Sequence, residues 1–88
     1  MKIKKDFTYH TVGGQHVVVP VGAASRDFNG MIRLNEVGAF LWKFLENGAE
    51  TEDLIREIMN EYDLDDEARA RADVEAFVKS LQEVGILE

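Results

Sequence analysis

RLNEVGAFLW, residues 33–42, joins a short apolar segment directly to a sequence with the periodicity of a helix. Asn35 stands at the junction, and asparagine is a favoured N-cap residue because its side-chain oxygen accepts a hydrogen bond from a free N–H of the first helical turn. Glu36 follows it, at a position where the helix dipole favours a negative charge. The stretch therefore predicts a strand that ends at Leu34 and a helix that begins directly after Asn35.

The sequence after this junction predicts three amphipathic helices, because apolar residues recur at spacings of three and four and so share one face. Gly48 and Gly85 are expected to end the first and the third helix. Thr51 is the expected cap of the second helix, and Asp65 or Asp66 that of the third. The expected core-facing stripes are Val37, Phe40, Leu41, Phe44 and Leu45, then Leu54, Ile55, Ile58, Met59 and Tyr62, and finally Ala70, Val74, Phe77, Val78 and Leu81.

Trp42 lies outside the apolar stripe of the first helix, although it is not opposite that stripe. One interpretation places the ring at the flank of the core, against the sheet or the third helix. The other leaves it partly exposed at an interface, where tryptophan is enriched. The sequence favours the first interpretation and leaves both open.

The segment FTYHTVGGQHVVVPV, residues 7–21, predicts a β-hairpin. Gly13-Gly14 is a two-residue turn of the kind that adopts positive φ without steric cost. The register that follows pairs Val12 with Gln15, Thr11 with His16, His10 with Val17, Tyr9 with Val18, and Phe7 with Pro20. Because side chains alternate across a strand, Phe7, Tyr9 and Val18 are expected on the inner face.

The remaining part of the N-terminal half predicts a loop and a third strand. GAASRDFNG, residues 22–30, is small and polar, and it is expected to form a loop that closes with an Asn29-Gly30 turn. MIRL, residues 31–34, is expected to be the third strand. The sequence thus predicts a single α+β domain over residues 1–88, winged-helix-like, in which a three-stranded antiparallel β-sheet is followed by three α-helices (βββααα).

Length and composition limit the class of protein. A chain of 88 residues is enough for one small domain, and a hydrophobic fraction of 45% is ordinary for a globular protein. The sequence has no cysteine, which excludes disulfides and thiolate metal sites and makes a cytoplasmic location the expectation. No apolar run approaches the ~20 residues of a membrane span, and the start MKIKKDF lacks the apolar core of a signal peptide.

Charge is divided unevenly along the chain. The formal net charge is +3 over residues 1–34 and −10 over residues 35–88, which gives −7 in total. An acidic helical part is a poor nucleic-acid binder, because neutralisation of phosphate supplies most of the non-specific affinity. The acidity is typical of a solvated surface, and it also suits a basic partner.

The sequence offers little that could carry out catalysis, which needs a nucleophile, a base or a metal in a defined geometry. His10 is paired with Val17, the neighbour of His16, so the two histidines are expected on opposite faces of the hairpin. The acidic run DLDDE, residues 63–67, lacks the glycine of a calcium loop and is explained by helix capping. Gly13-Gly14 lacks the lysine–serine pair and the following helix of a phosphate loop. We predict that the protein is not an enzyme and uses no metal or cofactor.

Three segments together resemble the PqqD-like family of peptide-binding domains, which are also called RiPP recognition elements. They are VVVPVG (residues 17–22), GMIRLNEVGAFLWKFLENGAETEDLIREIMNEYDLD (residues 30–65) and DVEAFVKSLQEVGIL (residues 73–87). Each is weakly specific alone, but in this order they cover nearly the whole chain. Members that serve pyrroloquinoline quinone synthesis usually carry a PEG-like stretch before the LN pair. The equivalent region here is VPVGAASRDFNGMIRLN, so a different peptide product is expected.

The resemblance implies a protein that binds the leader segment of a ribosomally made precursor peptide. The leader is expected to add as a strand to the third strand, to pack against the third helix, and to be presented to a modifying enzyme, often a radical S-adenosylmethionine enzyme. An edge strand can pair with an extended peptide because half of its N–H and C=O groups are free. The candidate peptide-binding residues are Met31, Ile32, Arg33, Leu34, Arg71 and Glu75.

The charged candidates have two interpretations. On the third helix, one flank of the buried stripe carries Arg71, Glu75 and Gln82, and the other carries Asp73 and Ser80. Arg33 and Arg71 would pair with acidic residues of a leader. Glu75 or Asp73 would pair with basic residues. Ordinary solvation of a helix explains the same charges equally well.

Two other functions fit a winged-helix-like domain, namely nucleic-acid binding and dimerisation. A nucleic-acid binder needs a basic recognition helix, but the second predicted helix, TEDLIREIMNEYD (residues 51–63), has one arginine and is otherwise acidic. A dimerisation domain would pair the free edge of its third strand with that of a second copy. We expect no nucleic acid and no membrane among the partners, and the oligomeric state stays open.

Overall fold

The fold is a three-stranded antiparallel sheet followed by a group of three helices, as the sequence predicts. The computed structural model describes residues 1–27, 30–63 and 65–88. The elements are β1 (Phe7–Val12), β2 (Gln15–Pro20), α1 (Ala24–Asp27), β3 (Ile32–Leu34), α2 (Glu36–Asn47), α3 (Thr51–Glu61) and α4 (Glu67–Glu83). The four-residue α1 lies where only a loop is expected. The predicted Asn29-Gly30 turn includes a residue outside the described ranges.

The sheet has the order β1-β2-β3, so β3 is an edge strand. The predicted register of the hairpin is confirmed at each of its five pairs, from Phe7 opposite Pro20 to Val12 opposite Gln15. Gly13 and Gly14 have φ of +57° and +78°, and positive φ at both central residues is what a tight hairpin turn with the right twist requires. β3 then pairs with the second half of the hairpin, with Ile32 opposite Val18.

One face of this sheet covers the core. Phe7 and Val18 are buried, Tyr9 is half-buried, and Ile32 and Leu34 of β3 pack against the same cluster, so the predicted inner face is confirmed. The helices supply the rest of the core, and the members of the predicted stripes are buried or pack against it with the exception of Tyr62. The prediction for Tyr62 is wrong, because this residue lies just after the end of α3 and is 40% exposed. The fully buried side chains of largest volume in the core are Trp42, Leu41, Leu45, Leu54, Ile58, Leu81, Ile86, Val18 and Val74.

Two of the three predicted helix caps are confirmed. The Oδ1 atom of Asn35 accepts a hydrogen bond of 2.7 Å from the N–H of Gly38, and Oδ1 of Asp66 accepts one of 3.1 Å from the N–H of Arg69. The prediction for Thr51 is wrong, because Thr51 is already the first helical residue. Glu50 is the N-cap residue, and Asp53 Oδ2 accepts a hydrogen bond of 2.9 Å from its N–H.

Trp42 is fully buried in the core, which confirms the first of its two interpretations and excludes an exposed interface aromatic. Its Nε1–H has no hydrogen-bond partner in the described part of the chain. A buried donor of this kind lowers stability, but the burial of so large an apolar surface outweighs that cost.

The two ends of the described chain pair with each other, which the sequence did not indicate. Ile3 and Leu87 form an isolated antiparallel bridge, and the N–H of Lys4 donates a hydrogen bond of 2.8 Å to the carbonyl of Ile86. Ile3 and Ile86 are both buried in the main cluster. The terminal segments therefore close the core beside the ends of α2 and α4. Among the described residues, no helix has the length and hydrophobicity that a membrane span requires.

Candidate functional site

The edge of β3 is open. Within the described part of the chain β3 pairs only with β2, so the outward N–H and C=O groups along its other side have no strand partner. The strand is three residues long because the Asn35 cap begins α2 immediately after it. Met31, just before the strand, has 60% of its surface exposed. An extended chain could therefore pair with this edge over a short length.

A cavity of about 320 Å³ lies between β3 and α4. It is lined by Ile32, Arg33, Leu34 and Asn35 on one side and by Phe77, Ser80, Leu81 and Val84 on the other. Ile32 and Leu34 are half-buried, and so is Phe77, which leaves apolar surface open to a ligand. A strand added to β3 would direct every second side chain into this cavity.

A second cavity, of about 400 Å³, adjoins the first beyond the end of β3. Its lining residues are Asn35, Val37, Gly38, Asp73, Ala76 and Phe77. Asn35 and Phe77 line both cavities, so the two form one groove along α4. We call it the β3–α4 groove.

Gly38 allows the ring of Phe77 to lie against the first turn of α2. A Cβ atom at Gly38 would be 3.1 Å from Phe77 Cε1 and 3.2 Å from Asn35 Oδ1, closer than ordinary van der Waals contact. The absence of a side chain at this position thus sets where the ring stands in the groove. The Oδ1 atom of Asn35 accepts a hydrogen bond from the N–H of Gly38, and this cap holds the glycine in place against the ring.

The structure places the predicted site residues in two groups. Ile32, Arg33 and Leu34 line the groove, and Met31 is exposed next to them. Arg71 and Glu75 are not among the residues that line either cavity of the groove. At 100° per residue, they lie on the flank of α4 opposite to the one that carries Asp73, Phe77, Ser80 and Val84.

Arg71 is occupied by an ion pair with α3. Its Nη1 and Nη2 atoms donate hydrogen bonds of 2.7 and 3.0 Å to the two carboxylate oxygens of Glu52. This bidentate contact lowers the pKa of Glu52 and raises that of Arg71. The neighbouring acidic residues Glu67 and Glu75 raise the pKa of Arg71 further. Arg71 thus links two helices away from the groove.

Phe77, Ser80 and Val84 line the groove but are not among the peptide-binding residues that the sequence predicts. The sequence pattern places Phe77 in the buried stripe of its helix and Ser80 on the flank opposite to Arg71 and Glu75. The exposure of Val84, at 43%, is a signal that becomes visible only in the fold. The helical periodicity shows that two flanks exist but not which of them faces β3.

The histidines lie on opposite faces of the sheet, as predicted. His10 is exposed, and its Nε2 is 2.9 Å from the hydroxyl oxygen of Thr8. His16 is half-buried on the other face, where Nδ1 and the hydroxyl group of Tyr9 share a hydrogen bond and the two rings stack. Among the described residues, no group of three or more histidine and carboxylate side chains could hold a metal ion.

Fold and groove together define a class of small α+β domain in which a free sheet edge lies beside a helix. The sequence matches the family described as Coenzyme PQQ synthesis protein D (PqqD) over residues 15–87, so the chain belongs to this family and the resemblance is confirmed. A comparison with curated proteins gives no significant match.

Two solved structures have the same fold as the chain. One, described as "TbiB1 in Complex with the TbiA(beta) Leader Peptide", is 24% identical with a TM-score of 0.78, and the match covers 100% of this chain and 95% of that one. The other, described as "Lasso peptide synthetase B1 complexed with the leader peptide", is 20% identical with a TM-score of 0.74, and the match covers 97% and 93%. At these levels of identity the likeness establishes the fold.

Proposed function

We propose that the protein is a non-catalytic module that binds the leader of a ribosomally synthesised precursor peptide and presents it to a modifying enzyme. The observation that carries the proposal is the β3–α4 groove, in which an open strand edge and a wall of apolar side chains face the same space. Membership of the PqqD family supports it, and so do the two structural neighbours, both of which are complexes with leader peptides.

The mechanism follows from the two walls of the groove. The backbone of a leader would pair with β3 by antiparallel hydrogen bonds, which recognise any extended chain and supply affinity. Its inward side chains would contact Ile32, Phe77 and Val84, and these contacts would select among sequences. Pairing along only three residues of β3 is short, so the side-chain contacts must contribute a large share of the affinity.

The role of the bound leader is to deliver the rest of the precursor to an enzyme. The proposal assigns the chemistry to that enzyme, for example a radical S-adenosylmethionine enzyme, and assigns no catalytic residue to this chain. It places the module in the cytoplasm, where a ribosomal precursor is synthesised. A product other than pyrroloquinoline quinone is the expected outcome of the pathway.

Hydrogen exchange tests the strand addition. Saturation with the cognate leader is expected to slow exchange of those amides of residues 30–34 that point away from β2. Amides of β1, on the far side of the sheet, serve as the internal control and are expected to change little. Unchanged exchange at residues 30–34 in the presence of saturating leader would exclude strand addition.

Backbone N-methylation of the leader gives a second test that leaves the protein unaltered. In an antiparallel pair only alternate residues of a strand hydrogen-bond to a given neighbour. A series of leaders, each methylated at one backbone position, is therefore expected to show weakened binding at every second position of the paired segment. A uniform response along the leader would contradict pairing with β3.

A further inference from the structure

The ring of Phe77 divides the β3–α4 groove into two compartments of different chemistry. The compartment beside β3 is mostly apolar, with Ile32, Leu34, Leu81 and Val84 among its lining residues, and its one charged lining residue is the cation Arg33. The compartment beyond the end of β3 contains a carboxylate, Asp73, beside Val37 and Ala76. Two side chains of one bound peptide would therefore meet different surroundings on the two sides of the ring.

The second compartment has a negative charge that the protein does not neutralise. Asp73 is exposed and forms no ion pair or hydrogen bond within the described part of the chain. Glu36 is one residue away from the lining residues Asn35 and Val37, and it too is exposed. The N-terminus of α2 contributes only about half a positive charge, and Asn35 already accepts from one of its N–H groups. The balance of charge there favours a cation.

The direction of the added strand fixes the order of the two contacts. β3 runs from the compartment beside Ile32 toward the compartment beside Asp73, because Asn35, Val37 and Gly38 follow it in the chain. The existing pairs of the sheet are antiparallel, and antiparallel pairing is slightly more stable per residue than parallel pairing. An antiparallel guest would pass Asp73 first and Leu81 and Val84 later.

We propose that the groove recognises a cationic side chain followed, toward the C-terminus of the peptide, by an apolar side chain. The cation lies at Asp73, the apolar side chain lies between β3 and Val84, and Phe77 separates them. This inference rests on the proposed binding of a leader in the groove. The inference adds the charge and the order of the leader residues that the groove recognises, and it identifies Asp73 as a specificity-determining residue.

Selection from a peptide library tests the proposal without a known leader. Displayed 12-residue peptides of random sequence, a length of roughly 40 Å when extended, would be selected on the immobilised protein and sequenced. The expected result is enrichment of lysine or arginine N-terminal to leucine, isoleucine, valine or phenylalanine. Enrichment of the same two classes in the reverse order, or of acidic residues in the first position, would overturn the proposal.

Two variants of α4 locate the cation. Asp73→Asn is expected to weaken the binding of a selected peptide about two- to fivefold, the range of an exposed ion pair, and to leave a peptide with glutamine at the cationic position unaffected. Asp73→Lys is expected to reverse the preference in favour of glutamate. Glu75→Gln, an exposed carboxylate on the opposite flank of the same helix, is the matched control and is expected to bind all these peptides as the original protein does.

The outcomes distinguish this inference from the proposed function. A preference for the cation that survives Asp73→Asn, or that is lost in Glu75→Gln, would overturn the inference even if residues 30–34 are protected by the selected peptide. Selected peptides that leave the exchange of residues 30–34 unchanged would instead overturn strand addition itself, and the inference with it.

Discussion

Phe77 takes part both in the packing of α4 and in the wall of the β3–α4 groove. The ring is half-buried, lines both compartments, and lies against Gly38, where no Cβ atom is present. Its place in the stripe of α4 is visible in the sequence, but its exposed side is not. Phe77 therefore contributes both to the packing of α4 against α2 and to the selectivity of the groove.

Truncation of this ring is the first test at the scale of the residue. Phe77→Ala is expected to weaken leader binding by about tenfold or more, because the ring supplies apolar contact at the centre of the groove. The free energy of unfolding is expected to decrease by ~2 kcal/mol, less than for a fully buried phenylalanine. Titration of a labelled leader and denaturant unfolding measure the two effects.

The matched control for this variant is Phe44→Ala. Phe44 is also half-buried, but it packs edge-to-face on Phe40 at a centroid distance of 5.1 Å and lines neither compartment. A similar loss of stability with unchanged leader affinity is expected for it. Equal losses of affinity in the two variants would show that the effect at Phe77 is a general loosening of the core.

Gly38→Ala tests the position of the ring without removing it. Alanine is favoured over glycine in a helix by up to ~1 kcal/mol, but the new methyl group would crowd both Phe77 and Asn35. The two effects on stability oppose each other, so a small net change is expected in denaturant unfolding. Leader affinity is expected to decrease severalfold, because the ring must move into the groove. An unchanged affinity would contradict the role assigned to Gly38.

At the scale of the elements, the junction between β3 and α2 decides the geometry of the groove. Asn35 ends the strand after three residues and starts the helix in the same step. The edge of β3 is thereby held at the N-terminus of α2, next to the middle of α4. Helix capping and the placement of the binding edge depend on one side chain.

The two confirmed caps provide a matched pair of variants. Asn35→Ala and Asp66→Ala are each expected to lower the free energy of unfolding by ~1 kcal/mol, the usual effect of a lost cap. Only Asn35→Ala is expected to weaken leader binding as well, because Asn35 lines both compartments and Asp66 lines neither. An equal effect of the two variants on affinity would contradict the role of the junction.

Much of the element structure is predictable from the sequence, because local patterns specify it. The Gly13-Gly14 turn determines the hairpin register, and Asn35 determines where β3 ends. The rotation of α4 about its own axis is not predictable in this way, because helical periodicity gives the buried stripe but not the element that each flank faces. The sequence therefore predicts Arg71 in the groove, whereas its partner in the fold, Glu52, lies 19 residues earlier on α3. The pairing of Ile3 with Leu87 is likewise a long-range contact without a local signal.

The first turn of α3 predicts a pH dependence of stability. The hydrogen bond from Arg71 lowers the pKa of Glu52, and hydrogen bonds from the Glu50 N–H and then from Arg56 lower the pKa of Asp53. A carboxylate with a lower pKa in the folded chain stabilises the fold fully above its unfolded pKa, and this contribution is lost as the pH falls through the folded pKa. Stability is therefore expected to decline as the pH falls below the ordinary carboxyl values of 4.5 and 3.8.

Thermal unfolding at a series of pH values measures this decline. Glu52→Gln and Asp53→Asn are expected to unfold at lower temperature near neutral pH and to show a shallower loss on acidification. Glu46→Gln, at an exposed carboxylate of α2 without an ion pair in the described part of the chain, serves as the control. If the unfolding temperature of Glu52→Gln and Asp53→Asn falls with pH as steeply as that of the original protein, other carboxylates determine the acid sensitivity.

For the whole molecule, closure of the chain ends and the distribution of charge have separate consequences. The pairing of the terminal segments buries Ile3 and Ile86 and so enlarges the core. This burial matters for stability because a chain of 88 residues buries a smaller fraction of its surface than a larger protein does. The helical part carries the acidity, with −10 over residues 35–88, while the sheet part is basic. The open edge of β3 lies where these two parts meet.

The protein is expected to be a monomer in solution, with a mass of 10.0 kDa by light scattering, and to remain one when a leader binds. Through their β3 edges two copies would pair over only three residues, which buries far less than the ~1,200 Å² of a stable interface, and each copy carries a net charge of −7. Light scattering at low and high salt separates the two reasons for a monomer, the short edge and the charge repulsion, because salt screens the repulsion but does not lengthen the edge of β3. A dimer that dissociates when the leader is added would show that copies compete for the same edge. A dimer that persists at saturating leader would contradict the expected monomer and would place the contact between copies on a surface other than β3, because one edge cannot pair with two strands at once.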